Sequence, residues 1–183
     1  MAMQRKGQND YERAFEGLLR EEGVRFKRVD QTHRCVVGQG EVKTFDYLLY
    51  PRRGGCVLVE LKGRIFEGDT LAGRRRLENW ALAEDAAALA RWQERFMAET
   101  SETEAVFVFA YRINKIAADA DGLAVYDDNG RRYVFLAIRL QDYRRCMKRR
   151  SPRWKTVTLS AEDFRRHSFC AERIWLGLQN IDE

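Results

Sequence analysis

Apolar positions along this chain recur with two different periods, and each change of period marks a change of predicted element. From Asn9 or Asp10 to about Glu22, the residues Tyr11, Phe15, Leu18 and Leu19 fall on one helical face, and Gly23 follows as a stop. Val24 to Val29 predicts a short strand, and residues 31–40 a polar, turn-like segment. Val42–Tyr50 and Cys56–Lys62 read as the two strands of a hairpin around the turn Pro51-Arg52-Arg53-Gly54-Gly55. Gly63 to Arg76 reads as a loop. A second helix spans about Glu84 to Glu99, with Ala86, Leu89, Trp92 or Gln93, and Phe96 along its packed face. Glu104 to Ile113 is the most apolar strand and is expected at the centre of a sheet.

Leu123–Asp128 and Arg131–Ile138 predict a further hairpin, joined by Asn129-Gly130, a type I′ turn signal. Residues 140–149 read as a basic helix that Ser151-Pro152 breaks. Trp154–Leu159 reads as extended, and Ser160 opens a last short helix in the manner of a capping box. There is no internal repeat and no obvious linker. The order of elements predicts one α/β domain with a mixed sheet, a core over about 9–138 and a basic extension over about 139–183.

Composition narrows the class. The 183 residues are 45% hydrophobic, enough for one core and short for two. No apolar run is long enough to cross a bilayer, and Met1 to Lys6 lacks the apolar stretch of a secretory signal, so a cytoplasmic protein is expected. Cys35, Cys56, Cys146 and Cys170 are too far apart for a zinc knuckle and fit a reduced compartment. The only histidines are His33 and His167, which gives a hydrolytic triad little support and suits surface or packing roles.

Charge is unevenly placed. Arg139, Arg144, Arg145, Lys148, Arg149, Arg150, Arg153 and Lys155 face Asp142 alone within residues 139–155, a local +7 in a chain whose total is +5. A polyanion-binding surface needs such a stretch, and Tyr143 and Trp154 interleave it. A solvated helix whose cations favour its C-terminal dipole is the plainer alternative.

The densest chemistry lies in the first hairpin. If Tyr50 faces Cys56 across the turn, Asp46 stands opposite Glu60, with Cβ atoms ~4.5–5.5 Å apart. Lys62, two residues on, shares the face of Glu60. Opposed carboxylates repel unless a cation lies between them, and a divalent ion on oxygen ligands beside an ammonium suits phosphodiester hydrolysis. A one-residue slip would break the arrangement. A cross-strand charge cluster on a wet face is the other reading. The chain holds a second Glu-x-Lys, Glu41-Val42-Lys43. Glu60 is preferred because an apolar run leads into it, and a buried acid there needs a partner.

This order of elements, with Asp46 on one strand, Glu60-Leu61-Lys62 on the next and Glu12 early on the first helix, resembles the PD-(D/E)XK nuclease superfamily over residues 9–113. Within it the layout is similar to archaeal Holliday junction resolvases and related small nucleases. Tyr11-Glu12-Arg13-Ala14-Phe15-Glu16 is also similar to a bacterial group that starts His-Tyr-Glu-x-Ala-Phe-Glu, with Asp10 here in place of the histidine. Phe45 stands where the family name has proline.

The resemblance implies a restriction-endonuclease-like sheet flanked by helices, here with an extra C-terminal hairpin and a basic helical tail. It implies Mg²⁺ or Mn²⁺ held by Asp46 and Glu60, the Leu61 carbonyl and Glu12, the last directly or through water. Lys62 would orient the attacking water and stabilise new negative charge. Glu12 has a second reading as the residue completing an Asn9 cap.

Arg64 has two roles open, a phosphate contact or a cap on the strand end. Arg74, Arg75 and Arg76 are either a mobile backbone clamp or a solvated run. Trp80 is either a stacking platform or a helix-start anchor, and Trp92 is assigned to the core. The function implied is a metal-dependent nuclease, an endonuclease on DNA with RNA still open. A homodimer that cuts two strands is an open alternative. Other readings are a non-cleaving nucleic-acid-binding module on the same fold and a protein whose carboxylates are only surface charges.

Overall fold

The computed structural model describes residues 9–30, 35–37, 40–52 and 54–176. Its elements in chain order are α1 (Asp10–Glu21), β1 (Arg25–Arg28), β2 (Cys35–Val37), β3 (Gly40–Val42), β4 (Tyr47–Tyr50), β5 (Cys56–Phe66) and β6 (Ala81–Leu82). Then follow α2 (Ala83–Met97), β7 (Thr103–Ile113), β8 (Tyr126–Asp128), β9 (Arg131–Arg139), α3 (Leu140–Cys146) and β10 (Lys148–Ser151). The chain continues through β11 (Thr156–Thr158), α4 (Ala161–His167), β12 (Phe169–Cys170) and α5 (Arg173–Leu176).

This is an α/β fold around a mixed sheet of order β1-β4-β5-β7-β9-β12, with β8 also on β9. The central pair, β5 and β7, is parallel over its whole length, and α2 makes the crossover between them. Such strands are covered on both faces, which is why Val57–Val59 and Ala105–Tyr111 are apolar without alternation. Phe15, Leu18 and Leu19 of α1 pack with Val57, Val59, Val106 and Val108 on one face. Ala86 and Leu89 of α2 pack with Leu58, Phe107, Phe109, Tyr143 and Phe164 on the other.

Local signals explain the ends of α1. The Glu12 amide donates to Asn9 Oδ1 at 2.9 Å, and Glu12 Oε2 accepts from the Asn9 amide, a reciprocal cap. Gly23 then takes φ +64°, which a side chain resists. The β8–β9 turn has φ +49° at Asn129 and +73° at Gly130, as a type I′ turn requires.

Several expectations need correction. The polar stretch 31–40 contains two strands, Cys35–Val37 and Gly40–Val42, paired antiparallel; residues 31–34, His33 among them, and 38–39 lie outside the described residues. The strand expected over 42–50 is interrupted at Lys43–Asp46. There Phe45 is buried against the rings of Trp92 and Phe96, and Trp92 Nε1 donates to the Lys43 carbonyl at 2.9 Å, so α2 draws the backbone out of the ladder. β5 does not end at Lys62 but continues to Phe66, because β7 supplies pairing that far.

The basic helix over 140–149 stops at Cys146, and Lys148–Ser151 is a strand. Leu140 and Tyr143 are the buried anchors of that helix; past Cys146 and Met147, half-buried against the same core, come the exposed cations Lys148 to Arg150, and the backbone finds its partners in β11 instead. β11 pairs in turn with β6, giving a second sheet of order β10-β11-β6. Among the described residues no helix is long and apolar enough to cross a membrane, and Cys56, Cys146 and Cys170 are free thiols.

Asn79 ties the second sheet to α3. Buried, it accepts at Oδ1 from the Leu159 amide and the Thr158 hydroxyl, both at 2.8 Å, and its carbonyl accepts from the Tyr143 hydroxyl at 2.9 Å. Asn79→Ala leaves the buried Leu159 amide without an acceptor and is expected to cost about 1–3 kcal/mol. Urea unfolding should show a lower midpoint at unchanged slope.

Candidate functional site

The hairpin register is the one that its turn dictates. Tyr47 pairs with Val59, Leu48 with Leu58 and Leu49 with Val57, and the Asp46 amide donates to the Val59 carbonyl at 3.0 Å. One step beyond the ladder, Asp46 therefore meets Glu60 and Leu61. Asp46 Oδ2 accepts from the Leu61 amide at 2.6 Å, which fixes the carboxylate against the strand carrying Glu60 and Lys62. By the period of two, Glu60 and Lys62 share the α2 face with Leu58. Gly63 turns to the other face, where a Cβ would lie 2.4 Å from the Tyr11 ring. Only glycine lets α1 approach β5 this closely beside the lysine.

Glu60 is 4% exposed. Its Oε1 accepts from Lys62 Nζ at 2.8 Å, and Lys62 Nζ donates also to Asp85 Oδ2 at 2.5 Å. Asp85 Oδ1 accepts from Lys43 Nζ at 2.5 Å, and the same ammonium stands 3.9 Å from Glu60 Oε1. Neither Asp85 nor Lys43 is among the site residues expected from the sequence. Asp85 is the third residue of α2, where a carboxylate reads as a cap; its Oδ2 does accept from the Leu82 amide, at 3.4 Å. Lys43 belongs to the Glu-x-Lys set aside in favour of Glu60. Only the bend that α2 imposes at Phe45 brings it in.

Two carboxylates, Glu60 and Asp85, thus share two ammonium groups, with the Asp46 charge beside Glu60. Burial pushes the Glu60 carboxyl up, the Asp46 charge adds to this, and despite Lys62 it reaches about 7. Burial alone would favour a neutral Lys62, but the Glu60 and Asp85 carboxylates outweigh it and hold the ammonium above its ordinary value. Asp85 is lowered, because Lys62 and Lys43 overcome its burial.

Glu12 performs the cap and more. Its Oε2 takes a 2.6 Å bond from Arg28 of β1. Burial raises its carboxyl against the Arg28 charge, and the Asp46 charge adds to the rise, so Glu12 belongs to the same electrostatic neighbourhood.

Among the described residues no three His, Cys, Asp or Glu side chains are gathered closely enough to ligate one ion as they stand. The donor set still fits a hard divalent cation. It is all oxygen, and burial together with the Asp46 charge pushes up the acid at its centre.

The predicted cations divide into two groups. Arg64 and Arg74 are spent on the protein itself. Arg64 donates to the Gly63 carbonyl at 2.7 Å and to the Trp80 carbonyl, and its guanidinium lies 4.0 Å from the Trp80 ring centroid. Arg74 donates to the carbonyl and hydroxyl of Ser168, an internal tie rather than a mobile clamp.

Arg75, Arg76, Arg144, Arg145, Lys148, Arg149, Arg150, Arg153 and Lys155 are exposed. Of these, Arg145 pairs with Asp142 at 2.8 Å and Arg150 reaches Glu78 at 3.7 Å. Arg150 also covers the Trp80 ring, 5.2 Å from its centroid, so Trp80 joins Arg64 to Arg150 and is not an open platform. A hollow of about 260 Å³ lined by Arg75, Arg76, Trp80 and Arg150 opens beside this stack. No protein-family model, no curated protein and no solved structure matches this chain.

The Glu60 carboxyl makes stability depend on pH. With a native pKa of about 7 against an ordinary 4.5, the unfolded chain gives up this proton first as pH rises. Folding is therefore expected to lose stability between roughly those values. In chelating buffer, the melting temperature of Glu60→Gln relative to wild type should climb by about 5 °C from pH 4.5 to pH 7.5. A flat difference would contradict the assignment.

Proposed function

We propose that this chain is a metal-dependent nuclease that hydrolyses phosphodiester bonds in DNA, with a restriction-endonuclease-like core and an endonuclease mode of cutting. One observation carries the reading: Asp46 is registered against Glu60-Leu61-Lys62 at the end of a buried hairpin, with the lysine held as an ammonium beside the acids. The resemblance to the PD-(D/E)XK nucleases rests on the same residues.

Asp46 and Glu60, with the Leu61 carbonyl, are the groups that would hold Mg²⁺ or Mn²⁺, and Glu12 would add a contact through water. When bound, the ion supplies Lewis acidity and an acidified water. The chain's own residues do the rest. Lys62, gripped between Glu60 and Asp85, presents a fixed positive charge to the oxygen that attacks and to the negative charge that develops on the phosphate. Asp85 and Lys43 limit where that ammonium can go. The exposed cations of residues 144–155 draw in the polyanion.

A second reading, a non-cleaving nucleic-acid-binding module, is favoured by the full engagement of Lys62 with two carboxylates. Incubation with plasmid, linear and four-way-junction DNA separates the two. Cutting is expected only with Mg²⁺ or Mn²⁺, and should fall by about 100-fold or more in Lys62→Ala and in Glu60→Gln. Cutting that persists in both variants or in chelator would contradict the site. Salt-sensitive binding with no cutting under any metal would establish the module. Calorimetry of Mn²⁺ binding near pH 6.5 should also show proton release that Glu60→Gln abolishes.

A further inference from the structure

From Tyr143 through Ala161 the chain carries seven Lys and Arg residues and no Asp or Glu. The structure folds most of this run into the hairpin of β10 and β11, whose turn spans Pro152 to Lys155. Trp154 stands in that turn 66% exposed, the most open aromatic side chain among the described residues. It is held rather than loose: its amide donates to Ser151 Oγ at 3.3 Å, and the Arg153 guanidinium lies 5.2 Å from its ring centroid.

The hairpin is also fastened to the candidate site. Thr156 and Val157 pair with Leu82 and Ala81 of β6, and the Lys155 carbonyl accepts from the Ala83 amide at 2.9 Å. Ala83 opens α2, two residues before the Asp85 that grips Lys62. On the other side, Arg150 reaches the Trp80 ring that Arg64 also covers, and Arg64 follows Lys62 by two residues on the same strand.

We propose that the β10–β11 hairpin is a clamp for DNA carrying unpaired bases, with Trp154 as the surface on which one exposed base stacks. The inference rests on the nucleic-acid reading of the site and names the feature of the substrate that this surface selects. An indole face beside an arginine suits any unpaired base, because every base has a π-face. The flanking cations, Arg149, Arg153 and Lys155 among them, supply backbone charge neutralisation that does not distinguish paired from unpaired strands. A duplex keeps its bases stacked inside and offers Trp154 only phosphates. The attachment to β6 and α2 sets the bound base beside the helix start that positions Lys62. A protein partner or a lipid surface accounts less well for a run of cations with no acid among them, leading by Trp80 to the lysine.

Fluorescence anisotropy in chelator, where no cutting occurs, tests this with a labelled oligothymidine, a blunt duplex and the same duplex bearing a single-stranded flap. Wild-type protein should bind the oligothymidine and the flap at least about 10-fold more tightly than the blunt duplex. Trp154→Ala should lose about 5- to 100-fold on the first two and under about 2-fold on the duplex. Trp154→Phe should retain most of the preference, and Arg149→Ala should weaken all three alike.

Equal losses on every substrate, no loss at all, or binding to anionic phospholipid vesicles in place of DNA overturns the proposal. Cutting in Mg²⁺ is scored separately. Cutting of the flap-bearing duplex without any dependence on Trp154 overturns the clamp alone. A protein that shows the preference but never cuts upholds the clamp and removes the nuclease.

Discussion

Placing Glu60 inside β5, directly after the apolar run Cys56–Val59, is the constraint around which this molecule is arranged. A carboxylate 4% exposed cannot stay ionised without compensation, and the surroundings supply it unevenly. Lys62 gives it a 2.8 Å partner, yet Asp46 is registered directly against it and Asp85 competes for the same ammonium. The cluster is thus rigid, and its central acid has carboxylate neighbours as well as an ammonium. Rigidity comes from the elements: β5 and β7 hold Lys62, α2 holds Asp85, and the Phe45 bend holds Lys43. A site preorganised in this way loses little in reorganisation when a cation or phosphate arrives.

Phe45 shows how packing shapes the backbone just ahead of Asp46. A proline ahead of the aspartate would remove a backbone donor and stiffen the chain. Here a buried aromatic ring docked on Trp92 and Phe96 turns the strand instead. The same contact sets the Lys43 carbonyl under Trp92 Nε1 and the Lys43 ammonium on Asp85. Packing on α2 and charge at the site are therefore coupled through four consecutive residues.

The parts of the molecule readable in advance were those governed by local chemistry. The loop between Tyr50 and Cys56 set the register of Asp46 and Glu60, Asn9 and Glu12 capped α1, and Asn129-Gly130 turned β8 into β9. What escaped depended on contacts between distant segments. Asp85 looks like a helix cap until β5 is laid beside α2, and Lys43 looks solvated until the Phe45 bend is known. Lys148–Ser151 carries no strand signal of its own; it is a strand because β11 and β6 leave an edge for it to join. Trp80 reads in the sequence as a stacking platform or a helix-start anchor, but nothing there shows that Arg64 and Arg150 both cover its ring, which leaves Trp154 as the open aromatic surface among the described residues.

Crystals soaked in Mn²⁺ and measured for anomalous scattering test the central claim most directly. The account predicts one strong peak bonded to oxygens of both Asp46 and Glu60, at the ~2.0–2.3 Å typical of small divalent ions, with Lys62 displaced from Glu60 toward solvent or phosphate. A peak elsewhere on the surface, or none at the pair while Lys62 keeps its 2.8 Å bond to Glu60, would contradict it.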